Sequence, residues 1–239
     1  MSPELVSIIL PLYRQAAHVE STVRGYEHAL EDLPIAHETI LVLNGRDDGS
    51  LAICRGLERD FAPVRVAVHD RMGWGSAVRR GLREARGDVI CYTNSARTSA
   101  DTLAMILGYA LSLPGVVIKA NRKTRDSAWR HLGSLIFNLQ CRSLFDLSNF
   151  DVNGTPKVFP GSASKLLELR REDDLIDAEF LAVCRQEGYL ILEVPVIVTK
   201  RHAPGSTTNL TSALKLYWGA IHLRNQMRRE GRFARAGGR

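Results

Sequence analysis

The residues with the most chemical consequence follow an apolar run at Val89–Tyr92, inside the stretch Gly87–Ser99. That run reads as a buried strand ending in small polar residues, with a helix-compatible segment, Ala100 to Leu113, after it. In an open α/β sheet, ligands bind in the crevice beyond the carboxyl ends of the strands. Asn94, Ser95, Ala96 and Arg97 would stand at that edge, offering an amide, a hydroxyl, a methyl and a guanidinium. Mg²⁺ or Mn²⁺ wants oxygen ligands, usually including one or two carboxylates. None is present in these four residues.

Placing them takes a sheet and its helices. Val6–Leu12 is a nearly continuous apolar run of the kind buried in parallel sheets, with Pro11 expected to stop it and Tyr13–Gln15 to form a loop. Val19, Val23, Tyr26, Leu30 and Leu33 recur at helical spacing, which predicts an amphipathic helix over His18–Leu33. A strand at Thr39–Leu43, a turn Asn44–Ser50, a helix to about Asp60 and a strand at Val64–Val68 follow. Arg71–Ala77 leads into a helix Ala77–Ala85, and Val116–Ile118 is a further strand. This alternation predicts an α/β fold with a mostly parallel sheet covered by helices on both faces.

Beyond Lys119 the rhythm changes. Residues 120–126 are polar and basic, Trp129–Phe145 is a long amphipathic helix, and Lys157–Phe159 is strand-like. A helix begins near Asp173, Tyr189–Val198 is extended and apolar, and Ser212–Gln226 is an amphipathic helix with Trp218 among its apolar residues. The chain is expected to divide into a main domain, 1–208, and an appendage of helix and basic tail, 209–239.

The charge of +6 over 239 residues is uneven. From Arg201 onward eight Lys/Arg stand against one Glu, leaving 24 basic and 25 acidic residues before it. A neutral body with a basic tail argues against a nucleic-acid binder and for local attraction to an anionic partner such as a membrane surface. No window reaches the roughly 18 consecutive apolar residues of a spanning helix, and the N-terminus does not read as a secretory leader. Cys54, Cys91, Cys141 and Cys184 lack pair or metal spacing and read as small apolar residues in a reducing, cytoplasmic setting.

Several segments together resemble family 2 glycosyltransferases of the GT-A fold. They are Ser7–Tyr13, Glu38–Val42 with Asp48-Gly-Ser, Gly73-x-Gly75-x-Ala with Gly81, and Gly87-Asp88-Val-Ile. Asp151-x-Asn-Gly-x-x-Lys157-Val-Phe, Asp177-x-Glu179, Glu193-Val-Pro195 and Arg201-x-x-x-Gly-Ser206 resemble the polyprenyl-phosphate mannose/glucose synthase branch. The likeness covers about residues 5–208. It implies a nucleotide sugar, a UDP- or GDP-hexose, lying over the strand ends. Pro11 and Tyr13 would flank the base, Asn44 would stand in the base-binding loop, and Gly73 and Gly75 would approach the nucleotide closely. Asp177 or Glu179 would occupy the place of a catalytic base, with Arg201 and Ser206 facing a phosphate of the donor or of a polyprenyl-phosphate acceptor.

Departures from the family pattern matter as much. The metal-binding Asp-x-Asp corresponds to Asn94-Ser95-Ala96, the base-binding Asp to Asn44, and an acidic position after the first strand to Gln15-Ala16. The ligands for Mg²⁺ or Mn²⁺ are therefore largely missing, and no metal-binding residue is assigned. One reading is replacement: Arg97, Arg71 or Arg46 supplies the charge, since a guanidinium pairs with diphosphate oxygens and stays protonated. Another is loss of transfer, leaving a degenerate domain that binds nucleotide or a partner. A third is a membrane-surface scaffold recruited by the tail. Asp177 also reads as a helix cap, Asp88 as a turn residue, and Trp74 as either a core plug or a lid; these alternatives stay open on sequence.

Overall fold

The computed structural model describes residues 3–45, 47–122, 128–197 and 210–232. In chain order the elements are β1 (Leu5–Leu12), α1 (Val19–Leu30), β2 (Ala36–Asn44), α2 (Ser50–Asp60), β3 (Val64–His69), α3 (Trp74–Glu84), β4 (Val89–Tyr92) and α4 (Ala100–Ser112). They continue with β5 (Val117–Arg122), α5 (Ala128–Phe145), β6 (Lys157–Pro160), α6 (Ser164–Leu167), α7 (Ile176–Glu187), β7 (Ile191–Val196) and α8 (Leu210–Arg229). One sheet has the order β3-β2-β1-β4-β6-β5-β7. Its pairs are parallel except where β6 lies antiparallel between β4 and β5.

Side chains alternate across the sheet and so feed two cores. Ile9, Ile40, Val42, Ile90 and Tyr92 pack on the side of α3, α5, α7 and α8. Ile8, Leu10, Leu41, Leu43 and Cys91 pack on the side of α1, α2 and α4. The periodic residues Val19, Val23, Tyr26 and Leu30 are buried, as their spacing predicts. All four cysteines are buried and unpaired.

The end of β1 and the start of the third helix differ from expectation. Pro11 does not stop β1, which continues to Leu12. β4 pairs with β1 only over Val6–Ile9, so Pro11 lies past the point where its missing N–H would be needed on that side. Pro195 sits within β7, the strand at one edge of the sheet. The third helix starts at Trp74 rather than Ala77, because the carbonyl of Glu172 accepts the Ser76 N–H at 2.9 Å and satisfies a donor that a free helix start would leave open.

The C-terminal helix is packed on the body. Ala220, Leu223 and Met227 are buried in the α3/α5/α7 core, and the Tyr217 hydroxyl donates to the Gly133 carbonyl at 3.0 Å. Arg232 then reaches Glu179 at 2.9 Å. Of the described residues, no helix is long and apolar enough to cross a membrane.

Candidate functional site

The carboxyl ends of β1 and β2 enclose a cleft lined by Leu12, Arg14, Leu43, Asn44, Asp47 and Asp48, among others. Tyr13 borders it, with Arg14 over its ring at 5.5 Å. A Cβ on Gly45 would meet Met72 and the Tyr13 ring, so the chain turns there where a side chain would collide. Asp48 accepts from the N–H groups of Ala16 and Ser50, both at 3.3 Å. Burial pushes its carboxyl up, but these bonds and that of the Ser50 hydroxyl outweigh it and hold Asp48 below the usual carboxylate range.

Asn44, 7% exposed, ends β2 inside this cleft. Its Nδ2 donates to the Gly73 carbonyl at 2.9 Å, which fixes the amide's orientation. Its Oδ1 is buried with no hydrogen-bond partner among the described residues. A buried acceptor left open costs about 1–3 kcal/mol, so the position suits a ligand that brings a donor.

Gly73 and Gly75 stand against the chain's own backbone. A Cβ on Gly73 would lie 2.4 Å from the Glu172 carbonyl oxygen, and one on Gly75 2.5 Å from that of Arg171. The close approach is to the chain's own backbone at 171–173. Arg71 is likewise engaged there: it meets both Glu172 carboxylate oxygens at 2.9 Å, and Arg79 shares Oε1.

Trp74 is partly buried and packs against the core. Its Nε1 donates to Asp177 Oδ2 at 3.1 Å and its ring stands edge-on to Tyr92. Asp177 Oδ1 accepts from the Tyr92 hydroxyl at 3.0 Å and from the Lys157 ammonium, which is buried. Burial pushes Lys157 down to about 8 against the pull of Asp177. β6 supplies this lysine by pairing with β4 so that Lys157 stands opposite Tyr92. Two further pairs lie alongside, Lys119 with Glu193 and Arg122 with Asp151.

Glu179, two residues after Asp177, is drawn elsewhere. It is fully buried, its Oε2 accepts the N–H groups of Arg170 and Arg171, and its Oε1 takes Arg232. Both carboxylates expected to include a base thus have their oxygens engaged by donors. Asp174, just before α7, reaches solvent beside Asp177. Desolvation together with the carboxylates of Asp177 and Asp173 pushes its carboxyl up; for a group in contact with solvent, the like charges are the firmer cause.

At the end of β4, the Asn94 side-chain oxygen accepts the Ala96 N–H at 3.0 Å, closing a turn. Ser95 and Ala96 are buried. Tyr26 anchors the turn by donating to the Thr98 carbonyl at 2.8 Å, and Ser99 caps α4. With one oxygen spent locally and a methyl at Ala96, this segment does not fit a divalent ion. Among the described residues no group of three His, Cys, Asp or Glu could hold a metal. Asp88 accepts from the Glu4 and Leu5 N–H groups and is structural. Arg46, Arg201 and Ser206 lie outside the described residues.

Comparison with known proteins gives concordant results. The model of glycosyl transferase family 2 matches residues 7–159. The undecaprenyl-phosphate 4-deoxy-4-formamido-L-arabinose transferase of Pseudomonas paraeruginosa is 31% identical over 139 residues, 57% of this chain and 41% of that protein. Glycosyltransferase AglD of Haloferax volcanii is 38% identical over 90 residues, 36% of this chain and 14% of that protein. The chain thus spans about two fifths, or less, of these relatives. A glucosyl-3-phosphoglycerate synthase from Mycobacterium tuberculosis, solved with Mn²⁺, UDP and phosphoglyceric acid, superposes with a TM-score of 0.69. It is 17% identical, with 98% of this chain and 81% of that one covered, so the likeness is one of fold.

Proposed function

This chain belongs to glycosyl transferase family 2 and has the GT-A α/β fold, and on that premise we propose that it transfers a hexose from a UDP- or GDP-sugar to a polyprenyl phosphate or a related lipid or glycan acceptor. The observation that carries the acceptor class is the engagement of Asp177 and Glu179. A hydroxyl acceptor needs a base to take its proton, whereas a phosphate arrives already anionic and needs none. In this reading the acceptor oxygen attacks the anomeric carbon as the bond to the diphosphate breaks, and nucleoside diphosphate leaves. Asp177 positions Trp74 and Lys157 and does not take the proton.

The donor's base would lie by Pro11, Tyr13 and Asn44, with the diphosphate reaching toward Asn94, Ser95 and Arg97. Arg97, with Arg71 once its bond to Glu172 is exchanged, would carry the charge balance that a divalent ion supplies elsewhere. Arg201 and Ser206 are proposed for a phosphate of the acceptor or donor. The setting proposed is cytoplasmic and peripheral to the membrane.

A second reading is favoured by Asp174 alone. Its raised carboxyl, solvent contact and place beside Asp177 suit a base for a hydroxyl acceptor. The deciding experiment is product formation from UDP- and GDP-hexoses with undecaprenyl phosphate or glycan acceptors, with Mn²⁺ or EDTA. Turnover of the lipid phosphate in EDTA supports the proposal; no donor binding under any condition refutes it.

A further inference from the structure

The outward face of α5 carries Leu132, Leu135, Ile136 and Leu139, spaced i, i+3, i+4, i+7, and all are exposed, with Leu139 at 67%. The opposite face, Phe137, Cys141 and Phe145, fills the core, so the exposed leucines are surplus to folding. Phe150, 61% exposed, extends the stripe, with Arg142 stacked over its ring at 4.7 Å. Such a contiguous apolar strip marks an interaction surface.

The charges around it select the partner. α5 has 18 residues and α8, packed on it through Tyr217, has 20, and neither contains Asp or Glu. Among the described side chains their ionised groups are all basic: Arg142 on one, Lys215, Arg224, Arg228 and Arg229 on the other. Two copies placed face to face would set like charges together, which disfavours self-association. The acidic groups nearest the strip are each paired with a cation, Asp146 just past α5 with Arg185 and Glu193 behind Phe150 with Lys119, so apolar side chains among net-cationic helices match the boundary between anionic headgroups and acyl chains. We propose that α5, with Phe150 and the cations of α8, docks the protein on an anionic lipid bilayer.

The stripe is also well placed for the site. Asn138 Oδ1 accepts the Val152 N–H at 2.8 Å, which fixes the middle of α5 beside Asp151 and its partner Arg122 at the end of β5. Docking there would bring the strand-end edge to the headgroup layer, where a lipid phosphate resides. The choice of a bilayer over other apolar partners rests in part on the lipid-acceptor reading above. The apolar residues of α8 that face the body, Ala220, Leu223 and Met227, are spent on the core, while Trp218 stays exposed.

The test is flotation of the full chain with phosphatidylcholine vesicles, with and without phosphatidylglycerol, alongside Leu135→Gln/Leu139→Gln. The wild type should float with the anionic vesicles alone, and the double variant should lose roughly tenfold or more of the bound fraction. Equal flotation of both proteins, or none by the wild type, overturns the proposal. So does light scattering that shows a wild-type dimer dissolved by the variant, which would make the strip a contact between copies. Should the variant melt abnormally, Leu139→Cys carrying an environment-sensitive dye replaces it: a blue shift on adding anionic vesicles is expected, and its absence is fatal. Nucleotide-sugar binding measured in parallel reports on the transfer proposal separately.

Discussion

Trp74 and Asp177, 103 residues apart in sequence, share a hydrogen bond of 3.1 Å from Nε1 to Oδ2. This bond joins the glycine-rich turn that starts α3 to the buried Lys157–Asp177 pair between β6 and α7. Trp74→Phe keeps the ring and removes the donor. A hydrogen bond to a charged group contributes about 1.5–3 kcal/mol, so the melting temperature should fall by several degrees. Donor affinity measured by calorimetry should weaken with it; unchanged affinity would separate the turn from the cleft.

Asp177→Asn leaves Lys157 buried without its counter-charge. Breaking a buried pair from one side costs about 3–5 kcal/mol, which urea unfolding should register. Asp174→Asn, at a solvent-exposed position, should cost little stability. With a lipid-phosphate acceptor its kcat should also hold; a large loss of kcat at constant stability would instead make Asp174 the base.

The Lys157 ammonium, at about 8 in the fold, loses its proton before the unfolded chain does, whose lysine titrates near 10.5. Between those values the unfolded state binds more protons, so this group makes stability rise with pH, by at most about 1.4 kcal/mol per unit. Below 8 both states hold the proton and the contribution is flat. Relative to Lys157→Met/Asp177→Asn, the wild type should therefore gain stability from pH 8 to 10. Parallel curves for the two proteins would contradict the shift.

Donor binding should be the same within roughly twofold in Mn²⁺ and in EDTA. Arg97→Ala should abolish it while the fold persists. Asn94→Asp/Ala96→Asp restores two carboxylates and should make binding depend on Mn²⁺. A wild-type protein that already needs the ion would refute the side-chain-cation account.

Asn44→Asp replaces the amide donor to the Gly73 carbonyl with an acceptor and sets two oxygens against each other. Affinity for nucleotide sugar should drop about tenfold or more, read by the same calorimetry. Binding that survives intact would place the base elsewhere.

The sheet was legible because its strands are apolar runs at Val6–Leu12, Thr39–Leu43 and Val89–Tyr92, and buried parallel strands write themselves that way. β6 could be seen as extended but not as antiparallel, since a strand of four residues carries no sign of which neighbour it will join. Asn94–Arg97 could be placed at a strand end from local pattern alone. The partners of Asp177 and Glu179 could not: neighbours two residues apart on one helix point to different surroundings, and the contacts that separate them come from residues 74, 157, 170 and 232. Sequence marks Gly73 and Gly75 for a close approach, but that backbone at 171–173 lies against them could not be read from it, since those residues are a hundred positions away.

Arg232, close to the end of the chain, holds the carboxylate that also grips the Arg170 and Arg171 amides, and those residues lead into the Glu172 carbonyl wedged against Gly73. Tail and turn are thus one mechanical unit. A version shortened before Leu210 would not be the same fold minus an appendage, because the turn at Gly73, to which Asn44 is bonded, would have lost a brace. Any defect in such a protein would report on slackened architecture as much as on missing lipid contact, and point changes on the outer surface of α5 are the cleaner instrument.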